Sequence, residues 1–279
     1  MDASDTPLVE AVPASPPERL TVPAELGDLS QFFDPFLSQF VRDALASGGE
    51  VWVTRASGRV DGLLLYQESE RVGSIFTRSR ARAEELRAFR QPLAVFSDFP
   101  LTPSIEVYSI WEMSRAAAVP AHRYVHPVRT ARSADLPEIG RLLRETYGHF
   151  DPRWLGVATL PGTRCLVVEI DGQIAGLGWV TVVGRCGRLY SLTVQPRFRR
   201  VGVGTDLWHA RLAWAARTGA TRMISEISEQ NVPSIRIAER GGMRRIGAIY
   251  LSRTPTSPQL RGAPQLGQTL SVTSTRVPQ

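Results

Sequence analysis

A chain of 279 residues with 43% hydrophobic and 22% charged residues has an ordinary globular make-up, long enough for one large domain or two modest ones. No run approaches the ~18 uninterrupted apolar residues of a membrane span, and the acidic, proline-rich start (Asp2, Asp5, Glu10) is unlike a secretion signal, so the expectation is a cytoplasmic protein. The net charge is +6, and the 33 basic residues are all arginine, spread without an aromatic-interleaved block; this favours an anionic ligand or acidic acceptor over nucleic acid.

Taken in order, residues 1–20 are rich in Pro, Ala, Ser and acid and read as a disordered tail. A helical pattern follows through Phe32, Phe36, Leu37, Phe40, Val41 and Leu45, closed by Gly48-Gly49. Strands are predicted at Val51–Thr54 and Val60–Tyr66 around a Ser57-Gly58 turn, then at Val72–Thr77. A helix over Ser79–Phe89 and strands at Leu93–Phe96 and Ile105–Trp111 complete a first unit, residues 21–118. Residues 119–126 read as a linker. His122 and His126 within it have a helical chelating spacing, but Tyr124-Val125 before Pro127 favours extended chain, so no metal site is assigned. Cys165 and Cys186 fit no metal-ligand spacing and read as packing residues.

The second unit, residues 127–254, opens with a strand at Val128–Ala131. Ser133-Ala134-Asp135 then caps a helix over Leu136–Tyr147, with Ile139, Leu142 and Leu143 on one face. Tyr147–Leu160 is a polar and aromatic connection. Arg164–Ile170 and Gln173–Val180 form a hairpin around Asp171-Gly172, and Leu189–Val194 is a buried strand ended by Gln195-Pro196. After the basic, glycine-punctuated turn Arg199-Arg200-Val201-Gly202-Val203-Gly204, Thr205-Asp206 signals a helix running to Arg217. A strand at Arg222–Ile227, a short helix opened by Asn231 and a strand over Met243–Leu251 follow; residues 255–279 read as a disordered tail.

The two units resemble each other. Both hairpins carry apolar-x-Gly-Leu at the start of their second strand (Val60/Gly62/Leu63 and Ile174/Gly176/Leu177), so the first ~120 residues look like a degenerate copy of the rest. The competing reading is an unrelated α/β cap. Only Arg78-Ser79-Arg80 stands where the second unit has its glycine turn, which leaves the first unit to pack, to shape an acceptor pocket or to mediate a homodimer.

That turn is an anion cradle. Gly202 and Gly204 permit close approach of backbone to ligand, the helix start presents unpaired N–H groups and a positive dipole end, and Arg199 and Arg200 add charge. A dinucleotide fingerprint would need Gly or Ala at Leu207, and a P-loop would need Gly-Lys-Ser/Thr; neither is present. What remains, R-x-x-G-x-G at Arg199, Gly202 and Gly204 after a buried strand, resembles the pyrophosphate loop of the GNAT superfamily of acyl-CoA-dependent N-acetyltransferases. Downstream, Asn231, Ser234, Glu239, Arg240 and Gly242 match a second family motif, with Met243 in place of the usual Phe and Ala238 where many members carry Tyr.

The resemblance implies a GNAT-type α/β fold: a mixed, mostly antiparallel central sheet flanked by helices, here as two tandem GNAT-like units. It implies acetyl transfer from acetyl-CoA to an unidentified amine acceptor. Backbone of Leu192, Thr193 and Val194 would bind pantetheine, and amides of Arg199, Arg200, Val201, Gly202, Val203, Gly204 and Thr205 would hold the pyrophosphate. Asn231 and Ser234 would face the pantetheine arm. Tyr147–Leu160 would line the acceptor site. For proton transfer the candidates are Glu226 as base and Tyr190 as acid. The alternative is a non-catalytic acyl-CoA sensor, which the missing phenol at Ala238 keeps open.

Overall fold

The computed structural model describes residues 15–20, 40–41, 44–45, 48–68, 71–77, 79–101, 104–114, 121–147 and 160–253. Most of the Tyr147–Leu160 connection and the tail at 255–279 lie outside them. Among the described residues twelve strands form one sheet: β1 (Glu18–Leu20), β2 (Glu50–Ala56), β3 (Arg59–Gln67), β4 (Val72–Thr77), β5 (Ala94–Ser97), β6 (Ser104–Ser114), β7 (Val128–Thr130), β8 (Thr163–Ile170), β9 (Gln173–Val183), β10 (Cys186–Val194), β11 (Arg222–Ser228) and β12 (Arg244–Arg253). Helices are α1 (Arg80–Arg90), α2 (Leu136–Tyr147), α3 (Val203–Arg217) and α4 (Val232–Arg240). Glu18–Leu20 fall inside the stretch expected to be disordered, yet they pair with Val51–Val53 as the edge strand β1.

Local chemistry explains the repeated pieces. Each hairpin turns on two left-handed residues, Ser57-Gly58 and Asp171-Gly172, whose positive φ matches the twist of the flanking strands. Ser79 caps α1 by accepting the Arg82 N–H at 3.2 Å. The Asp135 carboxylate accepts the Arg132 N–H at 2.6 Å ahead of α2, whose Ile139, Leu142 and Leu143 are buried as expected.

The order β1-β2-β3-β4-β5-β12-β6-β11-β10-β9-β8-β7 shows that the two halves trade strands. β6, from the first half, lies antiparallel along β11 of the second (Tyr108 opposite Ser228, Ser114 opposite Arg222). β12, from the end of the second half, completes the first by pairing with β5 and lies against β6. One apolar layer therefore runs across both halves, joining Phe40, Phe96 and Tyr108 to Leu142, Trp179, Tyr190 and Ile249. On the opposite face α3 and α4 cover β10 and β11 through Trp208, Leu212, Ala238, Leu189 and Met223. Mostly antiparallel pairing with two short parallel ladders, β4–β5 and β10–β11, agrees with the mixed sheet expected from sequence.

Candidate active site

The site begins where β10 and β11 part. Cys186–Arg188 pair with Arg222–Ile224, and the ladder goes no further. At the fork Ser225 Oγ donates to the Leu189 carbonyl at 2.8 Å, so a side chain serves a backbone acceptor there. On its other edge β10 carries a bulge between Tyr190 and Thr193, with Ser191 in the left-handed region at φ +51°. The bulge switches faces. Tyr190 packs with Trp179 in the α2 layer, whereas Leu192 and Val194 pack with Val203 and Leu207 of α3; uninterrupted alternation would have put all three on one face.

Beyond the bulge the chain makes a single 3-10 turn at Pro196–Phe198 and enters the glycine turn. Arg200 (φ +65°) and Gly202 (φ +97°) are both left-handed, and backbone N–H groups in such turns form concave anion sites. The helix begins at Val203, not at the expected Thr205-Asp206 signal: Gly202 is the N-cap, it offers no side chain, and the first helical bond runs from Asp206 N–H to the Gly202 carbonyl. The N–H groups of Val203, Gly204 and Thr205 therefore stand ahead of the ladder.

A cavity of about 920 Å³ occupies this fork. Leu192, Thr193 and Val194 form one wall, Arg199, Arg200, Gly202, Gly204 and Thr205 one end, and Asn231 and Ser234 another wall. Asn231 caps α4, its Oδ1 accepting the Ser234 N–H at 3.3 Å, which fixes the spacing of that motif. Of the other cofactor residues expected from sequence, Val203 is buried beneath Gly176, where even a Cβ would come within 2.8 Å of it, and Val201 is exposed. A left-handed glycine cradle, uncapped helix amides and arginines fit a diphosphate-bearing cofactor.

The expected proton-transfer pair lies elsewhere. Glu226 Oε2 is 3.4 Å from Arg188 Nε, and both side chains are almost wholly buried. The Arg188 guanidinium sits 4.1 Å from the Phe40 ring and 4.7 Å from that of Tyr190. Tyr190 OH bonds Thr181 Oγ1 at 3.0 Å. Neither Glu226 nor Tyr190 lines the cavity. Sequence reasoning missed Ser228, which does line it and donates to Glu106 Oε1 at 2.6 Å. Glu106 belongs to β6, so only the strand exchange brings it here. Arg236 and Arg240 also line the cavity, one helical turn apart on α4, a spacing that was readable in advance.

Asp206, released from capping, anchors the linker. Its wholly buried carboxylate accepts His122 Nε2 (2.7 Å), His126 Nδ1 (3.0 Å) and the N–H groups of Val125 (3.2 Å) and His126 (2.9 Å). Burial alone raises its pKa, but the bonds from His122, His126 and Val125 outweigh it and hold the group below the ordinary carboxylate value. His122 stacks on His209 of α3, centroids 4.1 Å apart. The anchored linker places Val125 and His126 against Gly202, bracing the cradle from outside.

With this geometry in hand, comparison with known proteins is direct. Residues 129–243 match the family model described as Acetyltransferase (GNAT) family. Mycothiol acetyltransferases from Clavibacter sepedonicus and Clavibacter michiganensis are each 30% identical over 111 residues, 40% of this chain. The matched stretch spans about a third of those curated relatives, 36% and 35% of their length. A Drosophila protein superposes with TM-score 0.61 at 15% identity, covering 86% of this chain and 99% of its own. A GCN5-related N-acetyltransferase from Sphaerobacter thermophilus gives TM-score 0.56 at 14% identity (78% and 83% covered). A tandem GNAT protein from the clavulanic acid biosynthesis pathway gives 0.51 at 17% identity (75% and 84% covered). These likenesses extend over both halves and establish the fold. It is residues 129–243 that match the GNAT family of acetyltransferases, while the chain as a whole shares the fold of those solved structures.

Proposed function

We propose that the protein is an acetyl-CoA-dependent N-acetyltransferase in which residues 127–254 carry the chemistry. Residues 21–118 would bind no cofactor, and residues 119–126 would connect the two. The observation that carries this reading is the fork between β10 and β11 opening directly onto the glycine turn. The backbone of Leu192, Thr193 and Val194, which lines the cavity beyond the end of the β10–β11 ladder, offers a strand edge for pantetheine. The amides of Arg200–Thr205 hold the pyrophosphate, that of Arg199 being donated to the Pro196 carbonyl at 3.3 Å, and Arg199, Arg200, Arg236 and Arg240 add positive charge. Asn231 and Ser234 face the arm of the cofactor.

Acetyl-CoA supplies an activated thioester, so much of the rate comes from holding amine and carbonyl in attack geometry. The amine must shed a proton, and Glu106 through Ser228 is the carboxylate joined to the cavity wall. Glu226 faces Arg188 instead and supports the floor of the fork. Ala238, where many family members carry Tyr, is buried in the α3 layer, which leaves solvent to protonate the thiolate. The likeness to proteins named mycothiol acetyltransferases favours a small molecule as the acceptor.

A second reading, an acyl-CoA sensor without turnover, is favoured by that same buried Ala238. Thiol release from acetyl-CoA against a panel of amines, polyamines and peptides separates the two. Acceptor-dependent release is expected. Tight cofactor binding with no release under any acceptor would favour the sensor, and salt-sensitive DNA or RNA binding indifferent to coenzyme A would overturn both.

A further inference from the structure

One costly group in this region is not used by the proposed chemistry. Arg211, on α3, is buried to 1% exposure, and among the described residues its hydrogen bonds go to carbonyl oxygens. Nε donates to Leu207 O at 3.3 Å, and Nη1 donates to Tyr190 O at 3.1 Å and Trp179 O at 3.4 Å. Burial pushes its pKa down to about 9, so it is still a cation at neutral pH. A buried cation served by carbonyls is expensive to maintain.

Its targets explain the expense. Tyr190 and Trp179 face each other across β10 and β9 as the last regular pair before the bulge. A bulge disrupts the local ladder, and one guanidinium nitrogen gathers both carbonyls at that break. Gly178 makes the approach feasible, since a Cβ there would stand 3.0 Å from both Arg211 Cδ and Nε. The residue after Tyr190 is Ser191, in a left-handed conformation that a non-glycine residue holds only when its surroundings impose it.

We infer that Arg211 is the positioning residue of the cofactor cleft: its guanidinium clamps the Tyr190 and Trp179 carbonyls, holds Ser191 left-handed, and so turns Leu192–Val194 toward the fork. This rests on the acyl-CoA reading above for its functional consequence, but the clamp itself is measurable without ligand. In ligand-free full-length protein, Arg211→Met should raise amide hydrogen exchange at residues 191–194 at least tenfold while β8 stays protected. Its affinity for coenzyme A by calorimetry should fall at least tenfold. Adding Ser191→Gly, which adopts positive φ without steric cost, should restore at least threefold of that affinity, a rescue that a general packing role would not give.

If Arg211→Met does not fold, Gly178→Ala displaces the guanidinium while keeping the charge and should show the same local exchange and affinity loss. Unchanged exchange at 191–194 in a folded variant overturns the clamp, whatever the protein binds. Wild-type protein that ignores coenzyme A while the exchange result holds would leave the clamp standing and sink the acyl-CoA reading.

Discussion

The two halves build the same parallel strand pair and do opposite things with it. Gly62 lies opposite Thr77, and Gly176 opposite Val194; four residues along, Tyr66 lies opposite Gly73 and Val180 opposite Leu189. Thr77 and Gly73 are four residues apart, whereas Val194 and Leu189 are five. That one extra residue is the bulge. The parallel ladders differ in step: Val72 corresponds to Arg188, where the β10–β11 ladder ends, yet the β4–β5 ladder continues three pairs further, to Ile75 beside Ser97. By the same register Asp98 stands where Ser228 lines the cavity, and it accepts the Thr77 N–H at 3.4 Å. One half is zipped and pinned; the other is unzipped and opens onto glycine.

The helices repeat the contrast. Arg82 and Leu86 press on Gly62 as Val203 and Leu207 press on Gly176. One turn further on, Arg90 matches Arg211. Arg90 pairs with Glu50 at 2.6 Å and lies over the Trp52 ring, whereas Arg211 reaches the bulge carbonyls. The step from the zipped half to the forked one thus needs little new machinery: one inserted residue, a shortened ladder and a turn of glycines.

The comparison breaks first if either half can stand alone. Excised as residues 127–254, the second half would lose β6 from between β11 and β12 and leave bare edges on both; the fragment should be unfolded or aggregated by circular dichroism and size exclusion. A soluble, cooperatively melting fragment would contradict the exchange. Next in size, Gly202→Asp puts a carboxylate and a strained φ of +97° beside the proposed phosphate site, and should weaken coenzyme A at least a hundredfold with the fold intact. The paired glycines sharpen the contrast. Gly176→Ala would set a Cβ 2.9 Å from the Thr193 carbonyl and 2.8 Å from Val203, costing about 1–3 kcal/mol and cofactor affinity together. Gly62→Ala meets only side chains, so calorimetry with coenzyme A should read wild-type affinity there whatever the melt shows.

The smallest effect concerns the linker. Asp206→Asn should cost about 2 kcal/mol in denaturant unfolding at pH 7, the scale of lost hydrogen bonds to a buried charge. Because the folded pKa of Asp206 is depressed, its contribution is present above the ordinary carboxylate value of 3.8 and is lost as pH falls through the lower folded value. The wild-type advantage over Asp206→Asn should therefore disappear only below about pH 4. A difference already gone at pH 6 would mean that the carboxylate is not the anchor.

Much of this was legible in the chain itself. Alternation and helical spacing located the strands and helices, and Arg199, Gly202, Gly204, Asn231 and Ser234 all line the cavity; the φ of +97° favours glycine at 202, and the cap of α4 uses the Asn231 side chain. What stayed hidden has a common cause. Glu106 reaches Ser228 only through strand exchange, and hydrophobic periodicity carries no record of which strands become neighbours. Ser191 looks like any strand residue, because a bulge is decided by the partner strand and by Arg211 beneath it. Asp206 reads as a helix opener, yet its partners lie about 80 residues back in the linker. Glu226 reads in sequence as a strand carboxylate, and spacing carries no sign of the buried Arg188 beside it.

Calorimetric titration of the full-length protein with acetyl-CoA tests the contrast between the halves most directly. One binding site per chain, abolished by Gly202→Asp, is the predicted result. Two sites per chain, or a flat titration of the wild type, would contradict it.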